Sequence, residues 1–292
     1  MNQLKKIEIH SSTADFFYLY ETNDSFSIEQ LNSYYEKYPT VFNQYFQSHC
    51  PRTEERLLTA IAKYPAKYEQ MKRVAKLLPS ILNDVYEEMS NLLGIQPDLR
   101  VNILVGAFGS NAYVTHDGSL HFCIEAISDN LNHLKVLVAH EMAHAFHYEL
   151  LYMKGFDFSK IKLDGYASIY LEGVATYISE IVNQNLPKHI YLSFDDSGKE
   201  WINFFEDQYA EIILSLIEDL KVWSIKEERE WFRLSGGERY GYNRLGYLVG
   251  KQFINDIVKK NRLESTCTLW CENDIKLIID EWLINQGNLK NK

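Results

Sequence analysis

His140, Glu141 and His144 form a His-Glu-x-x-His run, and these residue types at this spacing point to metal chemistry. Histidines four apart on a helix project from one face, so two imidazoles can share one ion. Zinc takes nitrogen ligands at about 2.0–2.1 Å and, in a catalytic site, uses three protein ligands with one position open. The glutamate between the histidines faces the same cleft, where it can take a proton from water. With nine histidines in 292 residues such a run can also arise by chance, so its surroundings must support it.

The elements that would position it are legible. Ser128, Asp129 and Asn130 supply capping side chains and the early negative charge of a helix N-terminus. Leu131, Leu134, Leu137 and Val138 follow at helical spacing, and Gly155 is a natural stop. The motif therefore sits about three turns into an apolar-faced helix. His147 lies about 10 Å along the axis from His140, too far to share one ion, and is a pocket residue or a core residue.

A third ligand separates the classes of such sites. A histidine six residues after the second is absent, because Leu150 stands there and His147 replaces the glycine between. A glutamate on a second helix is the alternative, and Tyr170–Tyr177 offers Glu172 in an apolar segment. Glycine inside a helix costs about 1 kcal/mol relative to alanine, so Gly173, with Ala175, suggests close packing of two helices. Thr176, one turn on, can hydrogen-bond a ligand. Glu149 and Glu180 compete for the role in more polar or less close-packed settings, and Glu172 could also be an ordinary half-exposed helical glutamate.

With these residues the chain resembles the gluzincins, zinc peptidases with a His-Glu-x-x-His helix and a downstream glutamate ligand. The likeness extends upstream. Asn111–Thr115, His116–Ser119 and Leu120–Cys123 read as strand, tight turn and strand, with Asp117-Gly118 as the hairpin signal. Thermolysin-like enzymes have a similar Asn-Ala-aromatic edge strand, which binds substrate backbone as an added strand. The resemblance implies substrate binding by Asn111 and the Ala112 backbone, although Asn111 is equally suited to a turn. The Glu-Gly-x-Ala-x-Tyr segment and the Gly-Tyr-x-x-x-Gly-Tyr stretch from Gly241 to Tyr247 also resemble bacterial proteins described as zinc-dependent proteases. Thr176 departs from the thermolysin pattern, in which an aspartate is common at that place. Gluzincins commonly add a tyrosine, histidine or arginine that faces the metal as oxyanion donor. Gly236–Arg244 holds several, with Tyr242 the expected donor, Tyr240, Arg239 and Arg244 the alternatives, and a surface turn the bland reading.

The expected fold is helix-rich α+β, a zincin-like core with a small sheet beside the motif helix and a helical C-terminal lobe. The expected regions are a helical 1–97, a catalytic core 98–185 and a helical lobe 186–292. The chain before the hairpin is expected to be mostly helical, apart from a strand at Val101–Val105. A short helix starts at Ser27 and ends before Pro39, and helical periodicity covers Glu54–Ala62 and Lys67–Leu93, with breaks or kinks near Pro65 and Pro79. Further helices are expected over Trp201–Trp223, Tyr242–Asn261 and Asp274–Asn285, with loops near Pro187 and at Asp195–Gly198.

The first eight residues lack an apolar stretch long enough for a signal peptide, and no run approaches a membrane span. Four scattered cysteines give no zinc-ribbon pattern, so a reducing cytoplasmic setting is the simplest placement. A formal charge of −10 argues against nucleic acid or an anionic membrane as main partner. The expected function is a zinc-dependent peptidase acting on a peptide or protein, with Zn²⁺ on His140, His144 and Glu172 and Glu141 as general base. The alternatives are a non-catalytic peptide-binding or chaperone-like protein that keeps a zinc site, and a zinc hydrolase of a non-peptide amide.

Overall fold

Ile7–Ser11 form a strand, β1, which corrects the expectation that only Val101–Val105 breaks the helical run before the hairpin. Its two isoleucines alternate with Glu8 and His10, but its partner lies some ninety residues on, so nothing local announces it. This computed structural model describes residues 7–23, 25–157, 164–272 and 274–289. The first six residues, the main part of the stretch read for a signal peptide, lie outside the described residues. The chain divides into two compact units, Met1–Glu87 with Gln96–Leu134, and Glu88–Ile95 with Lys135–Lys292. The fold is helix-rich α+β with one small mixed sheet.

In the first unit the strands β2 (Leu99–Leu104), β3 (Ala112–Val114) and β4 (Leu120–Cys123) complete a sheet of order β1-β2-β4-β3. The first two pairings are parallel, and β3 joins β4 as the expected antiparallel hairpin, with Gly118 in the left-handed region at φ 77°. The loop before β3 is pinned from several sides. The Glu125 carboxylate accepts the amides of Gly106 (2.9 Å) and Phe108 (3.1 Å), and Tyr45 Oη accepts those of Ala107 and Gly109 (both 2.9 Å). A side chain at Gly106 would meet the Tyr45 ring at 2.7 Å, so only glycine fits. Burial pushes Glu125 up to about 7, against the pull of those amides.

Helices α1 (Thr13–Glu21), α2 (Ile28–Lys37), α3 (Pro39–Ser48) and α4 (Glu54–Leu93) supply the rest of this unit, apart from the last turns of α4. The Ser27 start is a capping box with Gln30, and Pro39 occupies the first turn of α3, where its missing N–H costs nothing. Of the breaks or kinks expected near Pro65 and Pro79, no break occurs: α4 runs through both. An interior proline opposes a helix by about 3 kcal/mol. Here Leu57, Tyr64, Met71, Val74, Leu78 and Leu82 are all buried along one helix, and that packing outweighs the loss.

In the second unit α5 (Leu131–Met153) is apolar nearly all round, with Val136, Val138, Ala139, Met142, Ala143 and Phe146 each buried, as befits an internal helix. Helix α6 (Gly165–Val182) starts at Asp164, whose carboxylate accepts the amides of Tyr166 and Ala167. It packs on α11 (Leu245–Val258). The two helices touch backbone to backbone: a Cβ on Gly173 would lie 2.5 Å from the Gly250 carbonyl oxygen. The close approach expected of Gly173 is thus present, with α11 as the neighbour. Between them lie α7 (Ile190–Ser193), α8 (Lys199–Asp207), α9 (Tyr209–Leu220) and α10 (Ile225–Phe232). The helix expected over Trp201–Trp223 is divided at Gln208, and α11 begins only after Arg244, whose left-handed backbone cannot continue a helix upstream. Short α12 (Leu263–Cys267) and α13 (Leu269–Glu272) precede α14 (Ile275–Leu289). Among the described residues no helix is long and apolar enough to cross a membrane.

Candidate metal centre

Helix α5 presents His140 and His144 one turn apart, and α6 brings Glu172 to them. Glu172 Oε2 lies 3.1 Å from His140 Nε2 and 3.5 Å from His144 Nε2. One ligand atom from each of the three falls within 4.8 Å of the others, and among the described residues no other such cluster of histidine, cysteine and carboxylate occurs. The histidines and Glu141 are buried, while the Glu172 side chain keeps 22% exposure, so the group opens to solvent on the glutamate side.

Burial and mutual charge act against each other in this group. Burial drives His140 down to about 4 despite the Glu172 hydrogen bond. Burial also disfavours charge on His144, but the carboxylates of Glu172 and Glu141 outweigh it and hold the imidazole above its ordinary value. Desolvation disfavours charge on the part-exposed Glu172 as well, yet the two histidines keep its carboxyl well below the usual range. Burial pushes Glu141 up to about 7, with Glu172 adding repulsion and His144 and Arg244 opposing it. The Nδ1 atoms of His140 and His144 have no hydrogen-bond partner. Two imidazole nitrogens and one carboxylate oxygen, converging with room on one side, match the donor set of a catalytic zinc ion.

Aromatic groups wall the histidines. Tyr247 on α11 stacks on the His140 ring at 5.6 Å, and Phe194, the cap of α7, meets it edge-on at 5.0 Å. The Arg244 guanidinium sits 4.9 Å from the Phe194 ring and 5.3 Å from Tyr247, with Nη1 donating to the Leu192 carbonyl at 3.1 Å. Both Phe194 (φ 60°) and Arg244 (φ 57°) have left-handed backbones, uncommon for residues with a Cβ.

The other expected site residues lie as follows. Thr176 is buried, its hydroxyl has no partner, and it lines a cavity of about 480 Å³ with Tyr191, Leu192, Leu248 and Lys251. Tyr242 packs its ring on Phe204 at 4.7 Å; from its segment the residues that reach the His140 side are Arg244 and Tyr247. Tyr240 bonds Ser215 and Arg239 pairs with Asp219. Glu180 is paired with Lys251. His147 is a core residue against Tyr170, and burial drives it to about 3. In the first unit, β3 is an edge strand, and the outward amide and carbonyl of Ala112 are taken by Asn111 Oδ1 (2.8 Å) and Ser110 Oγ (2.9 Å).

Tyr247 and Phe194 are the neighbours that sequence reasoning did not single out. Tyr247 stands one turn before Gly250 in the Gly-Tyr-x-x-x-Gly-Tyr stretch, so pairing that glycine with Gly173 would have found it. Phe194 carries no signal in sequence, since nothing marks a phenylalanine for a left-handed backbone.

Comparison with known families gives one match. Residues 10–278 match the model of a family described as "Putative zinc dependent peptidase (DUF5700)". No curated protein and no solved structure matches the chain. The match spans most of the sequence, and the chain belongs to this family.

Proposed function

We propose that this family member is a zinc-dependent peptidase of the gluzincin type, in which His140, His144 and Glu172 hold one zinc ion. The convergence of their ligand atoms within 4.8 Å, next to a buried Glu141, carries the reading. A zinc ion held by these residues would supply a Lewis acid, able to polarise a carbonyl and to make water nucleophilic near neutral pH. Glu141 then takes the proton of the attacking water and hands it to the leaving amine. Its elevated affinity for protons suits the second step, and a nearby dication would lower it enough for the first. Tyr247, a phenol kept neutral by burial and by the charges of Glu172 and Glu141, is our choice of oxyanion donor in place of Tyr242. Asn111 Oδ1 holds the Ala112 amide, so an added strand at β3 can take that amide only by displacing it.

The partner is a peptide or protein substrate. The test combines zinc analysis of purified protein with an unbiased peptide-library digest, comparing wild type with Glu141→Gln. Retained zinc with a loss of about 10²–10⁴ in hydrolysis is the expected result. An equally active variant removes this mechanism, and an inactive wild type favours a peptide-binding role.

A further inference from the structure

Arg244 is only 6% exposed and, among the described residues, no carboxylate lies within ion-pair distance of it. Three other arginines of the second unit are exposed and paired: Arg229 with Glu238, Arg233 with Glu228 and Arg239 with Asp219. A guanidinium cannot shed its proton, so burying one without a counter-ion is strongly unfavourable. The fold nevertheless invests in this one. Nη1 is held by the Leu192 carbonyl, two aromatic rings flank the cation, and Nε is left without any acceptor. Its own backbone and that of Phe194 are both left-handed, a kind of strain that gathers at functional sites.

We propose that Arg244 receives a carboxylate of the substrate, about one residue beyond the bond that is cut, so that short peptides with a free C-terminus are the preferred substrate class. This rests on the peptidase reading of the neighbouring site. The rings of Phe194 and Tyr247 each touch both His140 and Arg244, so the cation stands beside the metal ligands at the width of a ring. Consecutive residues of a peptide advance about 3.8 Å, so a substrate with its carbonyl at the histidines brings its next carboxylate toward Arg244. The guanidinium fork matches a carboxylate with two parallel bonds, and Nε, buried and without a partner, is one of the two donors such a pair requires. An acidic side chain at that residue offers the same chemistry as a chain terminus.

Calorimetry with three probes separates these sources: N-acetyl-Ala-Ala-Phe as free acid, its C-terminal amide, and N-acetyl-Ala-Ala-Glu amide. The free acid should bind at least about tenfold more tightly than its amide. Arg244→Gln, checked for folding by circular dichroism and for zinc content, should abolish that difference, and Arg244→Lys should keep part of it. A glutamyl amide that binds like the acid shows a site that takes a carboxylate from either source and removes the preference for a free C-terminus; one that binds like the phenylalanyl amide assigns the site to the chain terminus. Equal binding of all three by wild type, no binding of any at millimolar concentration, or an undiminished preference in Arg244→Gln overturns the proposal. Titrating the probes into a Glu141→Gln background reads binding without cleavage, so a preference for the acid there, beside a wild type that hydrolyses nothing, keeps this proposal and removes the peptidase. Hydrolysis of acid and amide at equal rates does the reverse.

Discussion

Gly173 and Gly250 meet without side chains between them: a methyl on Gly250 would lie 2.4 Å from the Ile169 carbonyl, and one on Gly173 2.5 Å from that of Gly250. This contact sets the distance between the helix that carries Glu172 and the helix that carries Tyr247. Helical Gly→Ala ordinarily gains about 1 kcal/mol. Gly173→Ala should instead lose about 1–3 kcal/mol through overpacking and weaken zinc retention as the helices part. Thermal melting with zinc analysis checks this, and a raised Tm would show that the contact is dispensable.

Tyr247→Phe and Tyr242→Phe differ in what they remove. The first deletes a hydroxyl from the ring stacked on His140, the second one from a ring packed on Phe204. Turnover should fall by roughly 10²–10³ in Tyr247→Phe with zinc content unchanged, and stay near normal in Tyr242→Phe. Steady-state kinetics on one peptide substrate decides, and the opposite order restores Tyr242.

Zinc affinity should rise with pH. Glu172 and Glu141 hold His144 above its ordinary value against burial, which favours the protonated imidazole with which zinc must compete. Raising the pH through that range frees it, and loading at lower pH should release about one proton per ion. Competition with a chelator between about pH 6 and 8.5, with proton release followed in weak buffer, tests this. A flat profile would exclude His144 as a ligand.

Glu125 should make the first unit less stable as pH rises. Its carboxyl is lifted by burial to about 7 in the folded state, above the unfolded value near 4.5. Its contribution is therefore complete below the unfolded value and is lost as pH climbs to the folded one. The loss amounts to about 3 kcal/mol. Glu125→Gln should flatten that part of the stability profile, though it surrenders one of the two amide contacts to Gly106 and Phe108. Denaturant melts at about pH 5 and 8 provide the comparison, and parallel profiles for the two proteins would disprove it.

The hairpin, the motif helix and the Glu172 helix are legible in sequence because their signals are local: Asp117-Gly118, the Ser128–Asn130 cap, and a glycine in an apolar helix. What escaped is non-local. β1 is stabilised by β2 far along the chain, and α4 continues through Pro65 and Pro79 because its buried face outweighs them. Phe194 and Arg244 adopt left-handed backbones that only the finished fold selects. Tyr242 packs on Phe204 while Tyr247 is the ring stacked on His140, a difference between two tyrosines of one stretch that their spacing does not announce.

The side chains that close the outward groups of Ala112 also bear on how copies of this chain behave together. An edge strand with free amides and carbonyls is a template for another strand, and long apolar edges aggregate. Here the edge is three residues long, and Asn111 and Ser110 hold the outward pair of its first residue intramolecularly. Replacing both with alanine would bare that pair, and the predictable cost is self-association at high protein concentration.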